Sequence, residues 1–239
     1  MQFANIEWHV NNGLNQPYSL DFNDVYFNTE DGLEETEYVF IVRNQLQQRF
    51  SNPNLTNFTI IETGFGTGLN FLAVSALWLK LAPKNATLHY IGIENKPLSS
   101  ADLIRAHALW PQFTQVSHEL VAQYSALKAG ANQFSLAAGR IQLALQADDI
   151  MYALSQLSQI AYAWLLDGFA PAKNPAMWSD EVFVHMARLS KTSTTFATFT
   201  SASHVKRGLQ AVGFTVTKHK GFGKKREMLS GQMTSRRDD

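Results

Sequence analysis

Three glycines, Gly64, Gly66 and Gly68, alternate with other residues between a short apolar run and a helical pattern. Glycine lets the backbone turn sharply and approach a ligand closely, and a helix N-terminus presents unpaired N–H groups. The dinucleotide fingerprint G-x-G-x-x-G would need its third glycine where Leu69 stands. The spacing is instead G-x-G-x-G, and Glu62 lies two positions before the first glycine.

This loop chemistry suits S-adenosyl-L-methionine, because no pyrophosphate has to be bound. A carboxylate at the strand end can meet the ammonium of the cofactor's amino-acid moiety, while the loop amides hold its carboxylate. A tightly packed structural turn is the alternative at this point. We predict that the cofactor-binding residues of this motif are Glu62, Gly64, Gly66, Gly68 and Asn70.

Acidic residues also follow the next two predicted strands. Glu94 ends the second strand, where a parallel neighbour would deliver a carboxylate to a ribose diol. Asp148 and Asp149 follow the third strand, where a carboxylate can accept a hydrogen bond from an adenine amino group or cap the next helix. Each of these acids alone could be a solvated strand end. Together, acids at the ends of successive strands predict a nucleoside site.

The fourth predicted strand ends at Asp167, which opens a polar and aromatic loop. We predict that Asp167 is the catalytic residue, because its strand should lie beside the glycine loop and near the reactive end of a bound cofactor. A strand-end Asp-Gly with a following Pro is also an ordinary turn. The composition of the loop favours a substrate platform, which we assign to Phe169, Lys173, Asn174 and Trp178.

The elements that must position these residues follow from alternating apolar runs and amphipathic stretches. That alternation predicts an α/β domain with a largely parallel, doubly wound, Rossmann-like sheet. The predicted strands are residues 58–62, 88–94, 141–145, 161–166 and 195–200. The predicted helices are residues 69–81, 99–109, 149–157, 175–189 and 203–212.

Both ends of the chain depart from this alternation. Residues 1–57 are expected to form an extension, with a helix over 33–50, that packs on the same domain as a core of residues 58–239. Residues 214–218 and 227–232 predict an antiparallel strand pair, which is typical of a methyltransferase sheet. Residues 110–139 predict a helical insertion, and residues 235–239 are expected to fray.

The composition limits the function classes. In 239 residues, 20 basic and 20 acidic side chains give zero formal charge, so whole-chain basicity does not indicate a nucleic-acid binder. The absence of cysteine excludes a disulfide scaffold, a thiolate zinc site and a cysteine nucleophile. The seven histidines show no metal-ligand spacing, and no apolar stretch approaches the ~20 residues of a membrane span. We therefore expect a soluble cytoplasmic protein without a metal.

The sequence resembles the methyltransferase domain of the MnmC family in blocks that run along nearly the whole chain. These blocks are residues 24–27, 32–36, 62–72, 166–175, 197–201 and 221–229. The run D-G-F-A-P-A-K-N-P, which begins at Asp167, is long enough to be highly specific. One departure is at residues 191–193, which read Lys-Thr-Ser in the turn before the fifth strand, where relatives tend to have Pro-Gly-Gly.

The resemblance implies methyl transfer from S-adenosyl-L-methionine to the aminomethyl nitrogen of 5-aminomethyl-2-thiouridine at the tRNA wobble position, giving 5-methylaminomethyl-2-thiouridine. It implies a tRNA anticodon loop as partner and suggests that the N-terminal segment with Tyr26 closes over the cofactor. Many relatives carry a C-terminal flavin-dependent oxidase. The chain is therefore expected to be a stand-alone methyltransferase or one half of a bifunctional enzyme.

A local basic cluster could bind the RNA despite the neutral total charge. It comprises five residues with no acid among positions 218–226, namely Lys218, Lys220, Lys224, Lys225 and Arg226. A solvated hairpin edge protected by lysines is the alternative. Unpaired RNA bases commonly stack on aromatic rings, for which Phe169 and Trp178 are candidates. A methyltransferase of another amine, and a non-catalytic module that binds a nucleoside or tRNA, remain open alternatives.

Overall fold

The computed structural model describes residues 1–11, 14–27 and 31–234, so the expected fraying of residues 235–239 falls outside the described residues. The described part of the chain contains two sheets. The smaller sheet, of order β1-β2-β3, is antiparallel and consists of β1 (Ile6–Asn11), β2 (Leu14–Ser19) and β3 (Asp24–Val25). This sheet was not predicted, although Ile6, Trp8 and Val10 alternate with polar residues as strand residues do.

The larger sheet carries the candidate site. Its strands are β4 (Asn57–Thr63), β5 (Thr87–Ile93), β6 (Gly130–Leu136), β7 (Ile141–Ala147), β8 (Ala161–Leu166), β9 (Ser190–Thr198), β10 (Phe214–Lys220) and β11 (Glu227–Met233). They lie in the order β10-β11-β9-β8-β4-β5-β7-β6. The five central strands are parallel, and the C-terminal pair is antiparallel. The predicted α/β fold class is confirmed.

Helices connect the strands. They are α1 (Gly32–Thr36), α2 (Leu46–Phe50), α3 (Leu69–Leu81), α4 (Ser100–His107), α5 (Thr114–Tyr124), α6 (Ile150–Gln156), α7 (Asp180–Arg188) and α8 (Ser203–Ala211). Short 3-10 turns cover Pro111–Phe113 and Pro175–Trp178, and a π-helical turn covers Glu37–Ile41. Within the described part of the chain, no helix is long and apolar enough to cross a membrane.

Two helices that were predicted to be continuous are interrupted in the structure. The helix over 33–50 is broken because Gln45 adopts a left-handed conformation with φ of +54°. The buried Asn44 stabilises that break, since its amide donates to Phe40 O at 3.1 Å and to Trp164 O at 3.3 Å. The helix over 175–189 is divided at Ser179, whose side chain caps the N-terminus of α7.

Two strand predictions also need correction. The helical insertion over 110–139 contains β6, which pairs antiparallel with β7 and directs Asn132, Phe134 and Leu136 inward. The fifth parallel strand is β9, which begins at Ser190 rather than at Thr195. Residues 191–193 therefore lie within this strand and not in a turn before it. The register with β8 shifts at this point, and Ser193 has a φ of +73°.

The core lies on both faces of the larger sheet. One cluster gathers side chains such as Phe71, Trp78 and Tyr90, and the other gathers Trp164 and Phe183. Because the central parallel strands are covered on both sides, they read as nearly continuous apolar runs. The chain runs from β4 outward to β5 and β7, and later from β8 outward to β9. The direction of winding reverses between β4 and β8, which is where open α/β sheets bind ligands.

Gly92 on β5 supports the glycine loop by its lack of a side chain. A Cβ at this position would lie 2.5 Å from Cδ2 of Phe65, a residue of the glycine loop whose ring is buried. We expect Gly92→Ala to lower the free energy of unfolding by roughly 1 to 3 kcal/mol, because the ring must move within a packed core. Urea denaturation measures this change.

The matched control is His89→Ala, an exposed position on the same strand. We expect it to change the unfolding free energy by less than about 0.5 kcal/mol. Equal stability of Gly92→Ala and the wild type would show that Phe65 is not tightly held.

Candidate active site

A cavity of about 530 Å³ opens at the carboxyl ends of the parallel strands. This volume is within the range of roughly 300 to 1,000 Å³ that small-molecule sites occupy. The loops after β4, β5, β7, β8 and β9 contribute to its wall, and the N-terminal segment covers one side. The predicted site residues that line it are Tyr26, Gly64, Gly66, Asn70, Glu94, Asp148, Asp149, Asp167, Phe169, Asn174, Lys224 and Lys225.

The other predicted site residues lie outside this wall. They are Glu62, Gly68, Lys173, Trp178, Lys218, Lys220 and Arg226. Glu62 and Trp178 are enclosed by protein, with exposed fractions of 0% and 3%. The structure therefore does not place Glu62 to meet a cofactor ammonium directly, or Trp178 to stack on a base. The indole N–H of Trp178 instead donates to Phe169 O at 3.0 Å and holds the loop after β8.

The glycine loop is fixed to both neighbouring strands. The backbone N–H groups of Gly64 and Phe65 donate to Ile93 O at 2.8 and 3.0 Å, at the end of β5. Gly64 has a φ of +88°, and a Cβ there would lie 2.8 Å from Cα of Gly168 in the loop after β8. Only glycine fits this close backbone approach. The glycine loop and the Asp167 loop are therefore in direct contact.

Asn70, in the first turn of α3, joins two carboxylates. Its Nδ2 donates to Glu62 Oε1 at 2.7 Å and to Asp167 Oδ2 at 2.7 Å. Its own Oδ1 accepts a hydrogen bond from Thr36 Oγ1 at 2.7 Å, at the end of α1. Tyr90 on β5 donates to the remaining oxygen of Glu62 at 2.8 Å. Glu62 therefore acts as a buried anchor for Asn70, which in turn positions Asp167.

Burial dominates the electrostatics of this pair. Loss of solvent, reinforced by the nearby Asp167, raises the pKa of Glu62 well above its ordinary value. Burial likewise raises the pKa of Asp167 from 3.8 to about 6, against the opposing effect of hydrogen bonds from Gly168 N and Asn70. Asp167 is thus a carboxyl group whose charge changes close to neutral pH, which is a property of many proton-handling groups.

The remaining acids hold backbone N–H groups at their strand ends. Glu94 accepts from Gly66 N at 2.9 Å and from Lys96 N at 3.0 Å, and burial raises its pKa. Asp149 caps α6 by accepting from Met151 N at 2.9 Å, as its position after β7 predicted. Asp148 accepts from the N–H of Asp149 at 2.9 Å. Since a carboxylate offers about four lone-pair sites, each of these acids retains acceptor capacity toward the cavity.

The N-terminal segment contributes residues that sequence reasoning missed. The rings of Phe22 and Phe169 stack with centroids 4.5 Å apart, and Tyr26 meets the same ring edge-on at 5.2 Å. Lys173 donates to the backbone carbonyl of Asn23 and pairs with Asp24 at 3.5 Å between Nζ and Oδ2. The aromatic run around Tyr26 was the available signal. The segment closes the cavity from the side of the smaller sheet.

The basic cluster lies on the C-terminal strand pair and its connecting turn. Lys218 and Lys220 are exposed on one face of β10, while Lys224, Lys225 and Arg226 are exposed in the turn. Only Lys224 and Lys225 of these five reach the cavity wall. Lys225 pairs with Glu35 of α1 at 2.6 Å between Nζ and Oε1, whereas Lys218 pairs with Glu227 at 2.7 Å. The cluster therefore borders the cavity and does not fill it.

The donor set fits an adenosyl cofactor better than a metal. Carboxylates at the ends of β5 and β7 suit a ribose diol and an adenine amino group, and the glycine loop leaves room for close backbone approach. Glu94, Asp148 and the loop glycines would hold such a group. Within the described ranges, no cluster of three His, Cys, Asp or Glu side chains could bind a metal ion.

Comparison with known proteins gives matches over most of the chain. A family model described as S-adenosyl-L-methionine-dependent methyltransferase matches residues 111–234. Two similar proteins are named tRNA 5-methylaminomethyl-2-thiouridine biosynthesis bifunctional protein MnmC. The one from Methylobacillus flagellatus is 52% identical over 231 residues, which cover 97% of this chain and 35% of that protein. The one from Ectopseudomonas mendocina is 47% identical over 229 residues, which cover 95% and 34%.

The chain thus spans about a third of the length of the curated relatives it matches. Among solved structures, MNMC2 from Aquifex aeolicus is similar with a TM-score of 0.75 and 18% identity, covering 98% of this chain and 74% of that one. At this identity the likeness establishes a shared fold.

Asn70→Ala tests the carboxylate bridge. We expect it to reduce the free energy of unfolding at pH 7 by about 2 to 3 kcal/mol, because hydrogen bonds to two buried carboxyl groups are lost in the interior. Asn70 lowers the pKa of Glu62 and of Asp167, so its removal raises both values further. A carboxyl with a raised folded pKa loses stability as the pH rises through that value. The deficit should therefore be larger at pH 7 than at pH 5.

Urea denaturation at both pH values measures this difference. Asn57→Ala is the matched control, since Asn57 is exposed at the start of β4 and should change stability by less than about 0.5 kcal/mol. A deficit for Asn70→Ala that does not depend on pH would contradict the coupling to the carboxylates.

Proposed function

The chain belongs to the S-adenosyl-L-methionine-dependent methyltransferase family, and from this membership we propose that its substrate is a tRNA wobble uridine. In the proposed reaction, a methyl group passes from S-adenosyl-L-methionine to the aminomethyl nitrogen of 5-aminomethyl-2-thiouridine, giving 5-methylaminomethyl-2-thiouridine. The relatives' names, which specify biosynthesis of this nucleoside in tRNA, support the proposal at 45–52% identity. Because the chain spans only about a third of these relatives, assigning it the activity in their names is part of the proposal.

The observation that carries the proposal is the placement of Asp167. This carboxylate lines the cavity, stands next to the glycine loop and is held by Asn70 and by Gly168 N, which donates at 2.8 Å to Oδ1. When bound, S-adenosyl-L-methionine supplies a methyl group on a cationic sulfonium. The protein then has to align a neutral amine and leave its lone pair available.

Asp167 can meet that need with its remaining acceptor sites. One N–H group is bound to each of its oxygens, so further lone pairs are available for the N–H bonds of a substrate amine. Hydrogen bonds to the ionised carboxylate orient the amine and stabilise the positive charge that develops on its nitrogen. The pKa of about 6 keeps the group ionised at neutral pH yet basic enough to accept a proton.

The aromatic side chains in the wall supply a surface for the uridine ring. Phe169 and Tyr26 line the cavity beside Asp167, together with Asn174 and Phe199. Unpaired bases in RNA loops are commonly read by stacking on such rings. We assign Phe169 to base stacking, and Asn174 and Lys173 to its support on the loop after β8.

The basic cluster is the proposed contact for the anticodon stem-loop phosphates. Lys224 and Lys225 line the cavity, and the other three cations of the cluster are exposed on the adjoining turn and on β10. A phosphate chain bound along the cluster would therefore pass close to a base inserted into the cavity. We further propose a flavin-dependent oxidase as the second activity, joined to this domain or separate, in line with relatives named bifunctional. The tRNA substrate places the proposed activity in the cytoplasm.

The direct test is transfer of a labelled methyl group. The protein is incubated with methyl-labelled S-adenosyl-L-methionine and tRNA that lacks the terminal methyl, and nucleosides are then analysed by mass spectrometry. We expect label only on the aminomethyl uridine. Label on small amines and none on RNA would contradict the tRNA substrate, and cofactor binding without any transfer would indicate a non-catalytic module.

The pH dependence of kcat/KM tests Asp167. Because protonation removes its acceptor oxygens, we expect kcat/KM to fall about tenfold per pH unit below the pKa of about 6 and to show no such fall from this group above it. Asp167→Asn should lower kcat by roughly 100-fold or more and abolish this acid limb. Asp180→Asn, an exposed position at the start of α7, is the control and should retain the limb. If Asp167→Asn kept full turnover, Asp167 would not be the general base.

Salt dependence tests the basic cluster. The double variant Lys220→Gln/Arg226→Gln should weaken tRNA binding and reduce the slope of log affinity against log salt by about 1.4, at about 0.7 for each lost single-strand phosphate contact. Lys80→Gln/Lys84→Gln makes the same charge change at the end of α3, away from the cavity. If both double variants reduced the salt slope of tRNA binding equally, the net charge of the protein and not the basic cluster would account for the binding.

A further inference from the structure

We propose that Glu35 and the ring of Phe199 form a binding subsite for a primary ammonium group, which Lys225 of the chain itself occupies in the structure. The inference rests on the proposed function, because the ammonium we assign to the subsite is that of an aminomethyl substrate. In this proposal Glu35 selects a substrate that carries a positive charge. Asp167 acts on the same amine during methyl transfer.

The contacts of Lys225 define the subsite. Its Nζ lies 2.6 Å from Glu35 Oε1 and 4.3 Å from the centroid of the Phe199 ring. A carboxylate on one side and an aromatic face on the other is a recognised way to bind an ammonium group. The Glu35 side chain is 12% exposed, whereas that of Lys225 is 42% exposed. The carboxylate is thus the fixed, enclosed partner, and the lysine reaches it from the solvent side.

The subsite is separated from the acids that would hold the adenosyl end of the cofactor. Phe199 follows β9, and Lys225 lies in the turn between β10 and β11. Both are on the β8 side of the point where the winding reverses. The glycine loop, Glu94 and Asp148 follow β4, β5 and β7 on the other side. The subsite therefore lies apart from Glu94 and Asp148, which follow β5 and β7. Its carboxylate, Glu35, is on α1 next to Thr36, which donates to Asn70 beside the glycine loop.

Charge in the cavity gives the subsite its selectivity. Glu35 and Asp167 line the same wall, and Glu35 raises the pKa of Asp167 while Lys225 lowers it. Two carboxylates facing one cavity attract a cationic amine and repel an amine that carries its own carboxylate. Glu35 would therefore admit the free aminomethyl group and disfavour an amine with an acidic substituent. Lys225 holds the place of that cation until the substrate displaces it.

Methylammonium is a probe that tests the subsite without RNA. Its binding is measured by NMR titration for the wild type and for three variants. Glu35→Gln should weaken binding by roughly tenfold, because a neutral amide replaces the charged acceptor. Lys225→Met should strengthen binding by a similar factor, since the competing internal cation is removed. Glu34→Gln, an exposed position on the same helix, should match the wild type.

Enzyme kinetics distinguish the two sources of ammonium. With the hypomodified tRNA, Glu35→Gln should raise KM by about tenfold and leave the affinity for S-adenosylhomocysteine within about twofold of wild type. Glu35→Asp, which keeps the charge, should recover part of the KM loss. An equal loss of S-adenosylhomocysteine affinity would assign the subsite to the cofactor's α-ammonium and overturn the proposal.

The outcomes also separate this inference from the proposed function. If Glu35→Gln binds methylammonium and tRNA as well as the wild type does while methyl transfer proceeds, the subsite is wrong and the function stands. If the wild type transfers no methyl group to tRNA yet loses methylammonium binding on Glu35→Gln substitution, the function is wrong and the subsite stands. Unchanged binding in Lys225→Met would refute the role of Lys225 as an internal occupant.

Discussion

The amide of Asn70 is the interaction on which the site depends, because it holds two carboxylates that would otherwise repel each other in a medium of low polarity. Glu62 belongs to β4 and Asp167 to the loop after β8, and the 2.7 Å hydrogen bonds from one Nδ2 fix their separation. Buried charges are tolerated only when they are paired or hydrogen-bonded. Thr36 of the N-terminal segment joins the same network by donating to Asn70. The network therefore positions the Asp167 loop, α3 and the N-terminal segment together.

Ion pairs form part of the contact between the N-terminal segment, which covers one side of the cavity, and the rest of the protein. Among the residues that the structure describes, three ion pairs join the N-terminal segment to separate elements, namely Lys96–Asp21, Lys173–Asp24 and Lys225–Glu35. Partly exposed pairs of this kind contribute little, commonly below about 1 kcal/mol each. The floor is a packed parallel sheet with an apolar cluster on either face. Breaking these ion pairs would therefore cost little, whereas moving the strands would expose the apolar clusters.

Sequence reasoning succeeded where local pattern decides structure. The alternating strands and helices, the glycine loop and the acids at the strand ends all follow from periodicity and spacing, and the observed sheet contains each of those strands. It failed where tertiary burial decides. Glu62 matched a cofactor-binding pattern, but Tyr90 and Asn70 enclose its carboxylate. Trp178 suited a stacking role by type, but it is needed in the core. The break at Asn44 depends on a hydrogen bond to Trp164 that no local signal reveals.

The near-contact of Gly64 with Gly168 has a mechanical consequence. Because the two loops touch backbone to backbone, with no side chain between them that could change rotamer, neither can shift without carrying the other. The glycine loop and the Asp167 loop are therefore expected to move together. A side chain at position 64 would meet the opposite loop, and one at position 168 would meet Met177, so we expect both glycines to be required. Residues around the cavity mouth can change more freely and so alter what the cavity binds.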